Sequence, residues 1–411
     1  MKQLFNKTVL PNGVRLVTEK ITTVRSIAFG VWVNAGGRDE NEQTQGISHF
    51  LEHMIFKGTE KRSKLDIALE IESVGGLINA MTMKELTCYY TQMMDENIGT
   101  SVDVLSDIVA NSVFEAEEAE KEKTVIIEEI NGQEDAPDDL IFDYFFRDMY
   151  PDHSLGLPIL GTKDTVMSFS PDDLNDFIRE KYTAQNIVIA ATGNVEHEAL
   201  AEMVEKAFSF PRQNSVKKYD GFPDYEIGRS DWQKPISQAH IVSGTRAFKY
   251  ADPRKYAYFV LNTLLGGGMS SRLFQTIREN YGYAYSVYTF SEALYDTGVW
   301  GVYIGTDREK IDKVMELAGI EFNRLRNERV NDNEISRIKN QLKGNLMLGL
   351  ESTSSRMHRL AKMELYINDF VSLDKIIEEI NKVTSEQVME IAQELLDPDK
   401  MLTTVFVPSK E

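Results

Sequence analysis

Residues 114–130 read FEAEEAEKEKTVIIEEI and residues 330–346 read VNDNEISRIKNQLKGNL. Laid together with a shift of 330 − 114 = 216, they pair Glu118 with Glu334, Ile126 with Leu342 and Ile130 with Leu346. The same shift takes Tyr150 to Tyr366, and SPDDLNDFI from Ser170 matches TSEQVMEIA from Thr384 with a shift of 384 − 170 = 214. Both of the latter stretches lead to a late strand pattern, NIVIAATGNV in the first half and MLTTVFV in the second. Helical periodicity alone yields some such matches, but their shared order points to one α+β design used twice. A chain of 411 residues suits two such domains.

Local patterns fill in the design. Asn12-Gly13 separates LFNKTVL from VRLVTEK, which predicts a hairpin, and SIAFGVWVNAG reads as a strand closed by glycine. Apolar residues recur at helical spacing over 46–57 and again over 63–74, the second time after a serine cap, until Gly75-Gly76 breaks the pattern. LINAMT and LTCYYTQMM are strand-like, and helical periodicity then runs from Asp95 to Tyr150 with a break at Ala136-Pro137. Pro171 sits where the first position of a helix capped by Ser170 would fall. The polar stretch holding Pro211, Pro223 and Pro235 is the best linker candidate. It divides a first domain, 1–212, from a second, 236–411, with 213–235 between them.

Apolar residues make up 42% of the chain and charged residues 27%, the balance of a globular protein able to bury a sizeable core. No apolar run is long enough to span a membrane, and the N-terminus lacks a signal-peptide pattern. The single cysteine, Cys88, forbids an intrachain disulfide and fits a reducing, cytoplasmic setting. A net charge of −20 disfavours nucleic acid and anionic membranes as partners and favours basic peptides, although solubility alone would also account for it.

The stretch GISHFLEHMIFKGT, residues 46–59, holds two of the six histidines, His49 and His53, with Glu52 beside the second. Residues spaced i, i+3 and i+4 share one helical face, so both imidazoles can reach one ion at about 2.0–2.1 Å while Glu52 stands ready to take a proton from water. A catalytic zinc needs a third protein ligand, and the glutamate-rich helix 115–129 offers Glu122, Glu128 and Glu129, among which spacing alone does not choose. The remaining histidines, at 153, 197, 240 and 358, sit in ordinary surroundings, and Gly266-Gly267-Gly268 lacks the lysine that a phosphate loop requires.

H-x-x-E-H is the inverted zinc signature of inverzincins. With LPNGVRLV, NAGGRDE, GGLINAMTMKELTCYY, VIIEEI, HSLGLPILG and LFQTIRENYGYAYSVY in order along the chain, the sequence resembles the half-length pitrilysin-type metallopeptidases, the group of mitochondrial processing peptidase and its bacterial relatives. The resemblance implies zinc held by His49, His53 and Glu129, the last at 129 − 53 = 76 positions from the second histidine. It makes Glu52 the general base and Glu122 a catalytic support that orients a ligand. It places Asn79 and Ala80 on an edge strand to which substrate adds as a further strand, and gives Arg278 and Tyr285 substrate-binding roles, the tyrosine also donating to the developing oxyanion.

The fold implied is two similar domains, each a mostly antiparallel sheet packed with helices, in a clamshell dimer. Shifted by 216, Glu129 falls on Asn345 and the histidine region near Leu265 and Met269, so the second half carries no zinc set. The resemblance therefore implies a homodimer with composite sites, Arg278 and Tyr285 serving the zinc of the other copy. The activity expected is a zinc endopeptidase cleaving peptides or unfolded segments in an enclosed chamber. The rival classes are a structural subunit and a peptide-binding partner, since some members of the family have lost the zinc residues; the complete set here argues against both.

Overall fold

The computed structural model describes residues 4–212 and 221–409. The first half runs β1 (Leu4–Val9), β2 (Arg15–Lys20), β3 (Ser26–Val33), α1 (Ile47–Ile55), α2 (Lys64–Glu72), β4 (Leu77–Thr82), β5 (Thr87–Met94), α3 (Ile98–Asn111), α4 (Ala116–Glu134), α5 (Pro137–Met149), α6 (Lys163–Ser168), α7 (Pro171–Lys181), β6 (Ile187–Gly193) and α8 (His197–Ala207). The second half runs β7 (Gly228–Lys234), β8 (Ala239–Ala247), α9 (Lys255–Gly266), β9 (Ala284–Ala293), β10 (Gly298–Thr306), α10 (Ile311–Asn327), α11 (Asp332–Gly349), α12 (Thr353–Ile367), α13 (Leu373–Lys382), α14 (Ser385–Leu395) and β11 (Leu402–Pro408). No helix among the described residues is long and apolar enough to cross a membrane.

Unit 1 comprises Met1–Asn131, Leu157–Lys218 and Gly349–Phe370, so far as these residues are described. Its six-stranded sheet has the order β1-β2-β6-β3-β5-β4, antiparallel throughout except for the pair β2/β6. β3 is apolar from end to end because both its faces are covered. Phe29, Val31 and Val33 enter a core with Phe50, Met54, Leu105 and Ile108. Ala28, Gly30 and Trp32 alternate to the other face, where α12 lies: Met357 fills the space over Gly30 and His358 meets the Trp32 ring edge-on at 5.2 Å. α2 starts where its serine predicts, Ser63 Oγ accepting from the Asp66 amide while the Asp66 carboxylate accepts from the Ser63 amide.

Unit 2 comprises Gly132–Gly156, Tyr219–Leu348 and Val371–Glu411, again as described. Its five-stranded sheet has the order β7-β11-β8-β10-β9, with β7/β11 parallel and the other pairs antiparallel. That order repeats β2-β6-β3-β5-β4 of unit 1, with the parallel pair in the same place. The helix on its second face is α5, whose Phe145, Phe146 and Met149 pack with Val242, Val299 and Phe406.

Two expectations change. The compact units are not contiguous in sequence, because each half lends the other one helix: α5 covers the second sheet and α12 the first. A sheet with two apolar faces needs helices on both, and the covering helix is drawn from the opposite half of the chain. The linker 213–235 also ends in a strand, since Gly228–Lys234 forms β7. Its polar sequence hid it; β7 is an exposed edge, and Trp232, meeting Tyr144 edge-on at 5.1 Å, is its main apolar anchor. The linker's residues 213–220 lie outside the described residues.

Candidate metal centre

α1 begins at a forced bend. Gly46 has φ +92°, and a Cβ there would meet the Leu160 carbonyl oxygen at 2.7 Å and Gly161 Cα at 2.8 Å. With glycine at the cap, no side chain of that residue can receive the first helical amides. The buried Glu40 carboxylate does so instead, accepting from the Gly46 amide at 2.7 Å and the Ser48 amide at 2.8 Å. Ile47, Phe50, Leu51, Met54 and Ile55 anchor the apolar side of the helix in the core, which leaves His49, Glu52 and His53 on its other face.

α4 brings the partner carboxylates. The Nε2 atoms of His49 and His53 each lie 3.6 Å from Glu129 Oε2, and the two rings are 4.6 Å apart between centroids. Among the described residues this trio is the group of three whose ligand atoms fall within 4.8 Å of one another. Ligands about 2.0–2.1 Å from a tetrahedral ion sit roughly 3.4 Å apart, so the two nitrogen–oxygen separations already fit zinc. His53 Nδ1 is 2.7 Å from Glu122 Oε1, whose other oxygen is 2.5 Å from Lys57 Nζ. An ionised carboxylate only accepts, so His53 carries its proton on Nδ1 and turns the lone pair of Nε2 toward Glu129. Of the three glutamates that spacing left open, Glu129 faces both imidazoles and Glu122 buttresses one; Glu128, exposed like Glu129, is not in the cluster.

The electrostatics suit a cation. Burial pushes His49 down to about 4, with His53 adding to the effect, so the ring is neutral at pH 7, the state that binds metal. Its Nδ1 is buried without a hydrogen-bond partner among the described residues, unlike that of His53. Burial raises the pKa of Glu52; a hydrogen bond from Thr82 and the nearby His53 offset part of the rise, and Glu129 adds to it. Burial alone would raise Glu122 too, but its hydrogen bonds to His53 and Lys57 outweigh this and hold it below the usual carboxylate range.

Asn79 and Ala80 lie on β4, the last strand of the first sheet, with one long side unpaired among the described residues. The Ala80 amide is covered by the Asn79 side-chain oxygen at 2.9 Å. Arg278 and Tyr285 belong to unit 2. Arg278 sits in a π-helical segment, Phe274–Asn280, and its guanidinium lies 5.4 Å from the centroid of the Tyr285 ring, which is 76% exposed on β9. The structure thus groups these two with each other.

Three contacts at the centre escaped the sequence reading: Glu40 at the helix start, Lys57 behind Glu122, and Thr82, whose hydroxyl donates to Glu52 Oε2 at 2.5 Å. Thr82 left a trace. On β4 the row Ile78, Ala80, Thr82 faces one way, and its first two members pack on the core, so a hydroxyl ends an otherwise apolar row.

The chain matches two family profiles in tandem: insulinase (peptidase family M16) over residues 15–163, and peptidase M16 inactive domain over residues 168–342. It is 40% identical over 395 residues to the zinc protease YmxG of Bacillus subtilis, covering 96% of each chain. It is 38% identical over 409 residues to a zinc protease of Streptomyces coelicolor, covering 97% of this chain and 89% of the other. Among solved structures, a peptidase M16 inactive domain protein from Pseudomonas fluorescens superposes with a TM-score of 0.91 at 20% identity, over 99% of this chain and 98% of that one. The last likeness speaks for the fold alone.

Proposed function

We propose, from the premise that this chain belongs to peptidase family M16, that it is a zinc-dependent endopeptidase of extended peptides. The observation that carries the reading is the trio His49, His53 and Glu129 within ligand distance, with Glu52 on the same helix. Zinc, when bound, supplies Lewis acidity toward a scissile carbonyl and toward water. The protein's own residues do the rest. Glu52 removes the proton from the attacking water and delivers it to the leaving amine, helped by burial that raises its proton affinity. Glu122 fixes the tautomer and orientation of His53. The free edge of β4 takes up substrate backbone as one more strand, the substrate displacing the Asn79 side chain from the Ala80 amide.

In the same reading the enzyme is a homodimer, Arg278 and Tyr285 of one copy holding the substrate and the oxyanion at the zinc of the other. An enclosed chamber admits extended chains and turns away folded ones, and the net charge of −20 favours basic segments. A single cysteine, Cys88, allows no intrachain disulfide, in keeping with a cytoplasmic setting. The deciding test is Glu52→Gln. Zinc content should stay at one per chain while peptide cleavage falls by about 10²–10⁴-fold; a variant cleaving at wild-type rate removes Glu52 from the mechanism. Mixing inactive Glu52→Gln and Arg278→Ala chains should restore part of the activity, and a mixture that stays dead rules out composite sites.

A further inference from the structure

We infer that Thr82 is the positioning residue of Glu52, holding one carboxylate oxygen so that the other stays available, and tying the base to the edge strand that substrate would join. The inference rests on the endopeptidase reading. Thr82 Oγ1 lies 2.5 Å from Glu52 Oε2 and 3.5 Å from the Ser48 carbonyl oxygen, so its better hydrogen bond goes to the carboxylate. Oε1 of Glu52 has no hydrogen bond or ion pair among the described residues. A base with one oxygen anchored and one open meets its proton in a single orientation, whereas an unanchored carboxylate on a flexible glutamate stem samples several.

The anchor is also placed to respond to substrate. Thr82 is the last residue of β4, paired with Thr87 of β5, and among the described residues its strand has no neighbour on the far side. A peptide adding to that free edge orders the backbone that carries Thr82, and through the hydroxyl orders Glu52 on α1. Binding along the strand and readiness of the base are then one event. A threonine suits both parts of this: its β-branched carbon fits the strand and its hydroxyl reaches the helix.

Thr82→Val keeps the shape and removes the hydroxyl, while Thr82→Ser keeps the hydroxyl. With wild-type chain and a quenched basic peptide, Thr82→Val should lower kcat about 10- to 100-fold, with KM within about twofold of wild type and zinc content unchanged. Thr82→Ser should recover kcat to within about threefold. A crystal structure of zinc-free Thr82→Val should show the Glu52 carboxylate turned away from its wild-type position. The inference is overturned if the valine variant keeps its kcat, if serine is as poor as valine, if the loss lies in KM alone, or if Glu52 stays put in the zinc-free variant. A wild-type chain without chelator-sensitive cleavage would instead strike the endopeptidase reading, and the zinc-free structure would still decide whether Thr82 orients Glu52.

Discussion

In unit 1 the helix α4 carries Glu122 and Glu129 to the two histidines; at the matching places, 122 + 216 = 338 and 129 + 216 = 345, the helix α11 of unit 2 carries Ile338 and Asn345. Ile338 is fully buried in an apolar cluster and Asn345 is exposed. Near the counterpart of the histidine helix, α9 stops at Gly266, the first of three consecutive glycines. Five strands of unit 1 follow the same order as the five of unit 2, so the fold does not need the site. What unit 1 adds is costly: a glutamate only 5% exposed, two imidazoles side by side, and a half-buried base. Burying a charge is tolerated there because His53 and Lys57 bracket Glu122. Unit 2 places a branched hydrocarbon in the same position, where it needs no such partners.

The sharpest way to break this comparison is to exchange its terms at the ligand. Glu129→Gln should weaken zinc binding by more than about 100-fold and take cleavage with it, whereas Asn345→Asp in unit 2 should change neither. Competition with a chromogenic chelator and a peptide assay read both. A Glu129→Gln chain that holds zinc like wild type would remove Glu129 from the ligand set.

A smaller effect follows from copying unit 2 into unit 1 behind the ligand. Glu122→Ile should weaken zinc about 10- to 100-fold, yet leave the melting temperature of the metal-free chain unchanged or higher. Lys57, left alone, is 24% exposed and can turn to water. A large fall in that melting temperature would mean that Glu122 holds the fold rather than the site.

These contrasts also explain what the sequence made legible. The period of SIAFGVWV, the glycine turns and the serine caps are local, and β3, the β1–β2 hairpin and α2 stand where such signals put them. His49, Glu52 and His53 were readable because helical spacing is also local. Glu129 was not separable from Glu128 by periodicity, since adjacent residues differ only in which way the helix turns them. Two features were invisible for a physical reason. β7 takes its stability from backbone pairing with β11, which leaves little trace in its polar residues. The exchange of α5 and α12 depends on which sheet each helix meets, and an amphipathic stripe does not name its partner. Thr82 lay in between, its hydroxyl readable as an oddity in an apolar row but its target 30 residues upstream.

Acid should weaken the metal-free chain through its buried histidines. In the metal-free chain burial holds His49 and His358, both of unit 1, down to about 4. Unfolded, both titrate near 6.5. As pH falls from 6.5 toward 4 the unfolded state takes up protons that the folded state refuses, so the stability these rings contribute above that window is lost within it. The melting temperature of the metal-free chain should drop across the window, and His358→Phe should flatten the drop. An unaltered slope in that variant would mean that His358 titrates normally in the folded chain.

The smallest expected effect probes the exchanged helices themselves. Gly30 on β3 and Gly244 on β8 are related by 244 − 30 = 214, and each lies on the sheet face that receives a helix from the other half. A Cβ on Gly30 would meet the Met357 sulfur at 3.0 Å and its terminal methyl at 3.1 Å, parts of a flexible side chain that can swing aside, and Tyr90 Cβ at 3.2 Å, which needs to give by only a few tenths of an ångström. A Cβ on Gly244 would meet the Trp300 carbonyl oxygen at 2.2 Å and Gly301 Cα at 2.8 Å, which are backbone and cannot yield without shifting β10. Gly30→Ala should therefore cost less than about 1 kcal/mol and Gly244→Ala about 2 kcal/mol or more, read from urea midpoints of the two variants. Equal costs would mean that the helix, rather than the neighbouring strand, sets the demand for glycine at both positions. The inequality is expected because the tightest contacts over Gly30 are with a flexible thioether of α12, while at Gly244 the limit is the sheet's own backbone.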